Sequence, residues 1–518
     1  MDSNNTIEVI RSVVGFPYFL IKKEIDTGYN LYTKEVASIK QAYVNYKDGA
    51  RFYTEGSSGD YVPSSIRFKK AKYLIDKEAR FMFSQTPDVM VQAFDTDEEH
   101  VKQAGQYQQL VNKVLEKSNF SSNLLKAAKD CFIGGRVGCL IDYSESDGIK
   151  VHFYSALQFY YETGYGSDKL TKFMSFETLN ETKSENKRLY LVNRYENRDN
   201  VIYMSSLLYD GRGVVIEEII PEIETELKYI PAVVIINDGT LEQKRGVSEI
   251  EELVGYESGY SKLSNADIDS ERKGMNPIRY VVDMNSQTTK NLSSGAGAFW
   301  DMKSEQSQNE VHPMVGTLSP EMNHTEPVKV TLERINTAMH DAVDVPDISS
   351  DGLLQGITSF KALKALYYPL AVRCNEKLKT WKPAIKFIVE TILNLAFTNK
   401  EDAVSRYVLS SLDEISFSVE IVENYALLDD ETEEKDTDLA EIAQNTRSRK
   451  SYMKKWRGSE LKTDEQIDKE LLQIAYENNL FDAMAANPEL ALEVNRRGTN
   501  AEVSELLQQM NDINSLHE

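Results

Sequence analysis

The sequence predicts a helix-rich α+β protein, and three observations carry that reading. Helical apolar spacing fills the first ~130 residues, a block of two-residue alternation follows, and long helical patterns return in the second half. The chain has 518 residues, 41% hydrophobic and 27% charged. That is material for about three domains and a sizeable core, and it excludes a disordered chain, a collagen-like repeat and a disulfide scaffold.

The N-terminal helices come first. Over 70–83, Ala71, Leu74, Ile75, Ala79 and Phe83 share a face, and Gln85-Thr86-Pro87 stops the helix. Residues 101–115 and 123–131 are also amphipathic, and Gly134-Gly135 offers the left-handed cap that ends the last helix. The period then changes to two. Residues 137–143 and 149–154 flank Asp147-Gly148, a hairpin signal, and strand-like runs follow at 189–195, 201–205, 214–220 and 230–236. The α+β block ends near Asp238.

Ser248 and Glu251 have the spacing of a capping box, opening a helix that runs to about Lys273 with Gly274 and Pro277 beyond. Its apolar positions, Leu253 and Leu263 among them, are sparse, and its middle carries Glu257, Ser258, Ser261, Ser264 and Asn265. The expectation is that neighbours must supply its packing. Asp267 and Asp269 read as a solvated face. Residues 278–283, with Ile278 and Tyr280, read as a strand, and 285–309 is Ser/Gly/Gln-rich around a single Trp300. A second helix starts at Pro327, a favoured first helical position, and carries Leu332 and Ile335 in its stripe to about Asp344. Two helices around some 50 residues of strand and loop (275–326) describe a stalk with a knob.

Residues 345–357 read as a loop holding Asp347, Ser349, Ser350, Asp351, Leu353, Leu354 and Gln355; its leucines lie between Gly352 and Gly356, as on a partner surface. A helical pattern from Thr358 to about Phe397 contains Pro369 and Pro383, and bends are expected at both. Residues 417–421 alternate as a strand. Helices are expected from about Asp438, and there Arg447, Arg449, Lys450, Lys454, Lys455 and Arg457 form the notable basic cluster. Tyr452 and Trp456 lie among them, so contact with a nucleic-acid backbone is one reading and charge balance with the acidic 429–434 stretch is the other.

Against 59 Lys+Arg stand 82 Asp+Glu, a formal charge of −23. This excludes a protein that coats DNA, because such binding neutralises phosphates with Lys and Arg. It does not exclude one that DNA moves past. Cys131, Cys139 and Cys374 have no C-x-x-C spacing and read as free thiols of a reducing compartment, Cys131 and Cys139 as core filling. The start lacks a basic region followed by an apolar stretch, and no run approaches the ~20 apolar residues a bilayer needs, so a soluble, cytosol-made protein is expected. There is no G-x-x-x-x-G-K-[ST], H-E-x-x-H or G-x-S-x-G. Gly134 to Gly138 lacks the strand-then-helix setting of a dinucleotide loop. Neither a cofactor, a metal nor an enzymatic activity is expected.

The order of these elements resembles the portal proteins of tailed bacteriophages, in particular the family related to the portal of the Bacillus phage SPP-one. The resemblance rests on residues 70–87 (KKAKYLIDKEARFMFSQTP, from Lys69) and the step from Gly134 to Tyr143. It rests most on Ile230-Pro231 with its apolar strand, Asn237, the Gly246 to Ile250 lead-in and a long helix containing Ser264-Asn265-Ala266-Asp267. The loop 356–359 before Lys361-Ala362-Leu363-Lys364 also matches, although the family's Ser-Gly is displaced to Asp351-Gly352.

The resemblance implies a wing at 1–246, stem helices at 247–274 and 327–344, a clip at 275–326 and a tunnel loop at 345–357. A long kinked helix and a wing return strand would fill 358–437, and a helical crown with a C-terminal tail 438–518. It further implies a virion protein, a ring of about twelve subunits at one capsid vertex. Through that ring a terminase packages double-stranded DNA, and DNA later leaves. Major capsid, scaffolding and head-completion proteins would be the further partners, without a membrane. Acidic or neutral loop side chains would line the bore, since bound phosphates would trap the polymer. The competing readings are a metal-dependent nuclease and another head component, a scaffold or minor head protein.

Overall fold

A computed structural model describes residues 29–52, 62–94, 97–144, 148–164, 169–180, 187–237, 243, 245–275, 278–282, 314–318, 324–347, 360–398, 417–422, 425, 431–444 and 446–456, with short stretches between 466 and 474. The chain forms two compact units, Met1–Leu427 and Leu428–Glu518.

The first unit begins with helix α1 (Tyr29–Asp48), helix α2 (Lys70–Phe83), strand β1 (Asp88–Ala93), and helices α3 (Glu98–Lys117) and α4 (Phe120–Gly134). Helix α2 buries Ala71, Leu74, Ile75, Ala79 and Met82, as its spacing requires. Asp97 caps α3 by accepting from the Glu99 amide at 3.0 Å, and Glu98 and Glu99 complement the dipole of that first turn. Helix α4 ends on Gly135 at φ +77°, where a Cβ would stand 3.1 Å from the backbone of Gly246 and Val247, so conformation and space both demand glycine.

Two sheets follow. Strands β2 (Arg136–Ser144), β3 (Gly148–Ser155) and β9 (Ala232–Ile236) form one in the order β3-β2-β9. Between them in sequence, β4 (Phe159–Thr163), β5 (Leu170–Leu179), β6 (Leu189–Arg198), β7 (Val201–Asp210) and β8 (Val215–Thr225) form an antiparallel meander in chain order. The β6–β7 turn has only Asp199 and Asn200, both at positive φ (53° and 68°), the two-residue turn whose twist matches its strands. The alternation named six of these eight strands; β4 and β5, whose buried aromatics obscure a two-residue period, were not expected.

The rest of the unit holds helix α5 (Glu249–Met275), strands β10 (Ile278–Val282) and β11 (Met314–Leu318), helices α6 (Thr325–Ala342) and α7 (Phe360–Thr398), and strand β12 (Phe417–Val422). Strand β12 returns to pair antiparallel with β1. The other edge of β1 is closed by Gln108 of α3, which accepts from the Val91 amide at 2.7 Å and donates to the Val89 carbonyl at 2.9 Å. Helix α7 runs unbroken through Pro369 and Pro383 and supplies the centre of the core: Trp381 packs edge-on to Phe83 at 4.9 Å, with Ile385, Ile388 and Ile392 behind it. Cys131, Cys139 and Cys374 are buried free thiols. The second unit contains helices α8 (Glu431–Ala443) and α9 (Arg449–Trp456). Among the described residues no helix is long and apolar enough to cross a membrane.

Three expectations need correction. Ser248 and Glu251 form no capping box: the Ser248 hydroxyl is buried without a hydrogen-bond partner, and the Glu251 carboxylate accepts from Ser38 instead. Helix α6 starts at Thr325, ahead of Pro327, because proline is tolerated anywhere in a first turn whose amides lack partners. The third concerns the polar middle of α5, which is not left to solvent or to neighbours.

Candidate functional site

Helices α5 and α6 pack along each other and run in opposite directions. At one end His324, ahead of α6, lies 3.6 Å from Asp267 late in α5. At the other, Arg373 of α7 contacts both Glu249 at the start of α5 (3.7 Å) and the Ala342 carbonyl at the end of α6 (3.5 Å). Strands β10 and β11 therefore follow and precede the pair at the end remote from Arg373, joined antiparallel from Ile278↔Leu318 to Val282↔Met314.

The polar residues of α5 recur every four positions, and each meets backbone of the segment 62–71, which is extended to Lys69 and helical from Lys70. Asp269 accepts from the Ser64 amide (3.0 Å), Asn265 accepts from the Ile66 amide (2.8 Å) and donates to its carbonyl (2.7 Å), and Ser261 accepts from Phe68 (3.2 Å). Glu257, fully buried, accepts from Ala71 (3.0 Å) and Ala50 (2.8 Å). The match is metric. Four helical residues rise about 6.0 Å and two extended residues about 6.6 Å, so the turns of Asp269, Asn265 and Ser261 meet the amides of Ser64, Ile66 and Phe68 in step, and the last turn reaches Ala71 in the first turn of α2. Glu257 also supplies the N-terminal cap that Lys69 does not give α2. Burial raises the Glu257 pKa, against which the amides of Ala50, Ala71 and Lys70 stabilise the carboxylate. Asp267 and Asp269 are accordingly not a solvated face: Asp269 holds Ser64, and Asp267 is half-buried beside His324.

At the root of the pair lies a buried charge cluster. Glu78 (α2) is fully buried, and Glu249 nearly so. Lys377 of α7 donates to both carboxylates, and Arg373, one turn earlier, bonds Glu78 at 3.0 Å. Asn237, just past β9, donates to Glu249 at 3.1 Å. Burial, then the adjacent Glu249, push the Glu78 carboxyl up to about 7. Burial also works against the Glu249 charge, but Lys377 and Arg373 outweigh it and hold that carboxyl below its ordinary range. Sequence reasoning missed all four. The signal was present, since Glu78 falls on the apolar face of α2, four residues from Leu74.

Next to the cluster the chain leaves α6. His340 Nδ1 is 2.8 Å from the Val345 carbonyl, Asn336 donates to Asp347 at 2.6 Å, and Lys77 donates to the Pro346 carbonyl at 3.3 Å. Lys70 donates to Asn336 at 2.5 Å and lies 4.4 Å over the Tyr260 ring, closing a groove of about 690 Å³ between α5 and α6.

Of the expected site residues, Asp347 stands at this root, exposed. Ser349, Ser350, Asp351, Leu353, Leu354 and Gln355 lie outside the described residues. Leu253 is in the core, and Leu263, Leu332 and Ile335 are half-buried along the helix pair. Ile278 and Tyr280 are on β10; Trp300 lies outside the described residues. In the second unit, Arg447, Lys455 (3.2 Å) and the Trp456 indole (2.6 Å) converge on Asp438, so part of the basic cluster is internally compensated. Arg449, Lys450 and Lys454 lie on the same helix, α9, and Arg457 lies outside the described residues. Among the described residues no group of three or more His, Cys, Asp or Glu could hold a metal ion.

No curated protein matches the chain. Among solved structures, a chain of the neck of an empty GTA particle, computed with C6 symmetry, is similar at 10% identity, over 74% of this chain and 88% of that one, with a TM-score of 0.43. The family model "Phage portal protein, SPP1 Gp6-like" matches residues 19–479, far more than half of the sequence. The chain therefore belongs to the SPP1 Gp6-like phage portal protein family, and its role is that of a portal, the connector of a phage particle.

Proposed function

We propose that the chain assembles into a closed ring of twelve copies at one capsid vertex, through which a terminase drives double-stranded DNA during packaging and through which DNA later leaves. In this reading residues 1–246 form the wing, α5 and α6 the stem, 275–326 the clip and 345–357 the tunnel loop. Residues 358–437 return to the wing, and 438–518 form the crown and tail. The clip meets the terminase large subunit and then a head-completion adaptor, while scaffolding and major capsid proteins surround the body. The ring performs no catalysis and needs no cofactor.

The observation that carries this is the antiparallel pair α5/α6, which leads out to the two-stranded β10–β11 sheet and returns to a loop root fastened by His340, Asn336 and Lys77. Such a stalk sets a small sheet apart from the body, as a docking surface requires. The net charge of −23 supports a bore that repels rather than binds phosphates, with Asp347 and residues 349–355 nearest the DNA.

Mass photometry with negative-stain imaging of the purified chain tests the reading. A ring with an axial hole is expected, and a chain that remains monomeric at micromolar concentration contradicts it. Deleting 352–356 is expected to leave the ring intact and to lower packaging or DNA retention; loss of the ring would make that loop an assembly element.

A further inference from the structure

Strand β8 ends the five-stranded sheet, and β7 is its one neighbour in that sheet. From Val214 to Glu224 every residue except Ile220 is exposed, so both faces of the strand stand in solvent as well as its edge. Val215, Ile216, Ile219 and Ile223 are 42–54% exposed. Large apolar side chains concentrated on one projecting strand mark a surface that another chain covers.

The remaining residues of β8 limit what that chain can be. Glu217 and Glu218 stand between the Val215-Ile216 and Ile219-Ile220 pairs, Glu224 follows Ile223, and all three are exposed. Two β8 edges brought together would oppose carboxylates, and Pro221 with three register shifts against β7 removes the regular edge that any strand could extend. The surface thus excludes its own copy and selects a basic, apolar, extended partner.

One described segment of the same unit has that chemistry. Residues 62–69 are extended, expose Val62 (67%) and Ile66 (52%), and present Arg67 and Lys69 to solvent. The α5 ladder holds this segment from one side, so its shape is set before any partner arrives. A closed ring of identical copies needs two unlike, complementary faces on every subunit. We infer that β8 of one copy docks on the 62–69 segment of the next. This rests on the ring reading above and assigns the pair of surfaces that closes it.

Paired charge reversals test the assignment. One variant carries Glu217→Lys, Glu218→Lys and Glu224→Lys; the other carries Arg67→Glu and Lys69→Glu. None of these side chains belongs to the ladder or the buried cluster. Each variant alone is expected to lose about tenfold or more of its ring fraction by mass photometry, since like charges then face each other at every interface. An equimolar mixture of the two is expected to recover rings, because alternating copies restore opposite charge at both kinds of junction; recovery would also show that each variant is folded. Rings from either variant alone, or a mixture that stays dissociated, overturn the pairing while leaving the ring reading standing. A wild-type chain that forms no ring overturns the ring reading, and the pairing with it.

Discussion

Helices α5 and α7 both bury polar side chains, but they satisfy them by opposite means. Helix α5 offers Ser261, Asn265 and Asp269 to backbone amides of an extended segment and Glu257 to those of Ala50 and Ala71 beyond it, one rung per turn. Helix α7 offers Arg373 and Lys377 to two carboxylates from other helices, in a single cluster buried around Glu78 and Lys377. The ladder is a series of separate bonds, and its partners are main-chain groups that every residue type provides. The cluster is one unit, and each charge in it is tolerable only because the others are present. A polar helix face therefore need not be wet, nor wait for a second subunit; here it is where the protein fastens its own chain.

The comparison can be broken at the cluster with the largest effect. Lys377→Met leaves Glu78 and Glu249 facing each other in the core, and a loss of about 3–5 kcal/mol is expected in chemical denaturation. Adding Glu249→Gln should recover much of it, because Glu78 and Arg373 then remain as a matched pair; if the double variant is as unstable as the single one, the unpaired carboxylate is not the cause. Next is the ladder's buried rung. Glu257→Ala strands the Ala50 and Ala71 amides and removes the cap of α2, an expected loss of about 2–3 kcal/mol by the same measurement. Asn265→Ala should cost less, about 1–2 kcal/mol, since Ile66 is partly reached by water.

Additivity sharpens the contrast. Glu257→Ala and Asp269→Ala lie about 18 Å apart along α5 and should sum, whereas Lys377→Met and Glu78→Gln should not.

The cluster also predicts a pH slope. The folded Glu78 carboxyl holds its proton up to about 7 and the unfolded one releases it near 4.5, so between those values the folded state binds more protons. Stability from this group therefore falls as pH rises from about 5 to 7. Glu249, held below its ordinary range, adds stability that is lost only at lower pH. Glu78→Gln should flatten the slope between pH 5 and 7 in thermal melts, and an unchanged slope would assign it elsewhere.

Much of the fold was legible because its elements state their period locally. The α2 stripe, the Gly135 cap, the β2–β3 hairpin and the strand of Phe417 each follow from neighbours in sequence. The order of elements also identified the family. What was not legible depended on distant partners. The sparse apolar positions of α5 were read as a demand for neighbouring subunits, because sequence spacing shows the rungs every fourth residue but not the segment 62–71 that receives them, some 200 positions away. Arg373 and Lys377 look like ordinary helix-surface charges until α2, α5 and α7 are packed together, and Glu78, although it falls on the apolar face of α2, does not reveal its partners before that. The β8 strand was recognised, but its exposure on both faces emerges only from its place at the sheet edge.

The measurement closest to the central claim is amide hydrogen exchange on the wild-type chain, diluted until copies separate. If the stem's polar side is completed within one protomer, the amides of Ser64, Ile66, Phe68 and Ala71 stay protected in the dilute monomer, and Asn265→Ala releases Ile66 first. Free exchange at all four in the monomer, with protection gained only on assembly, would mean that neighbouring copies, and not the protomer's own chain, hold that helix in place.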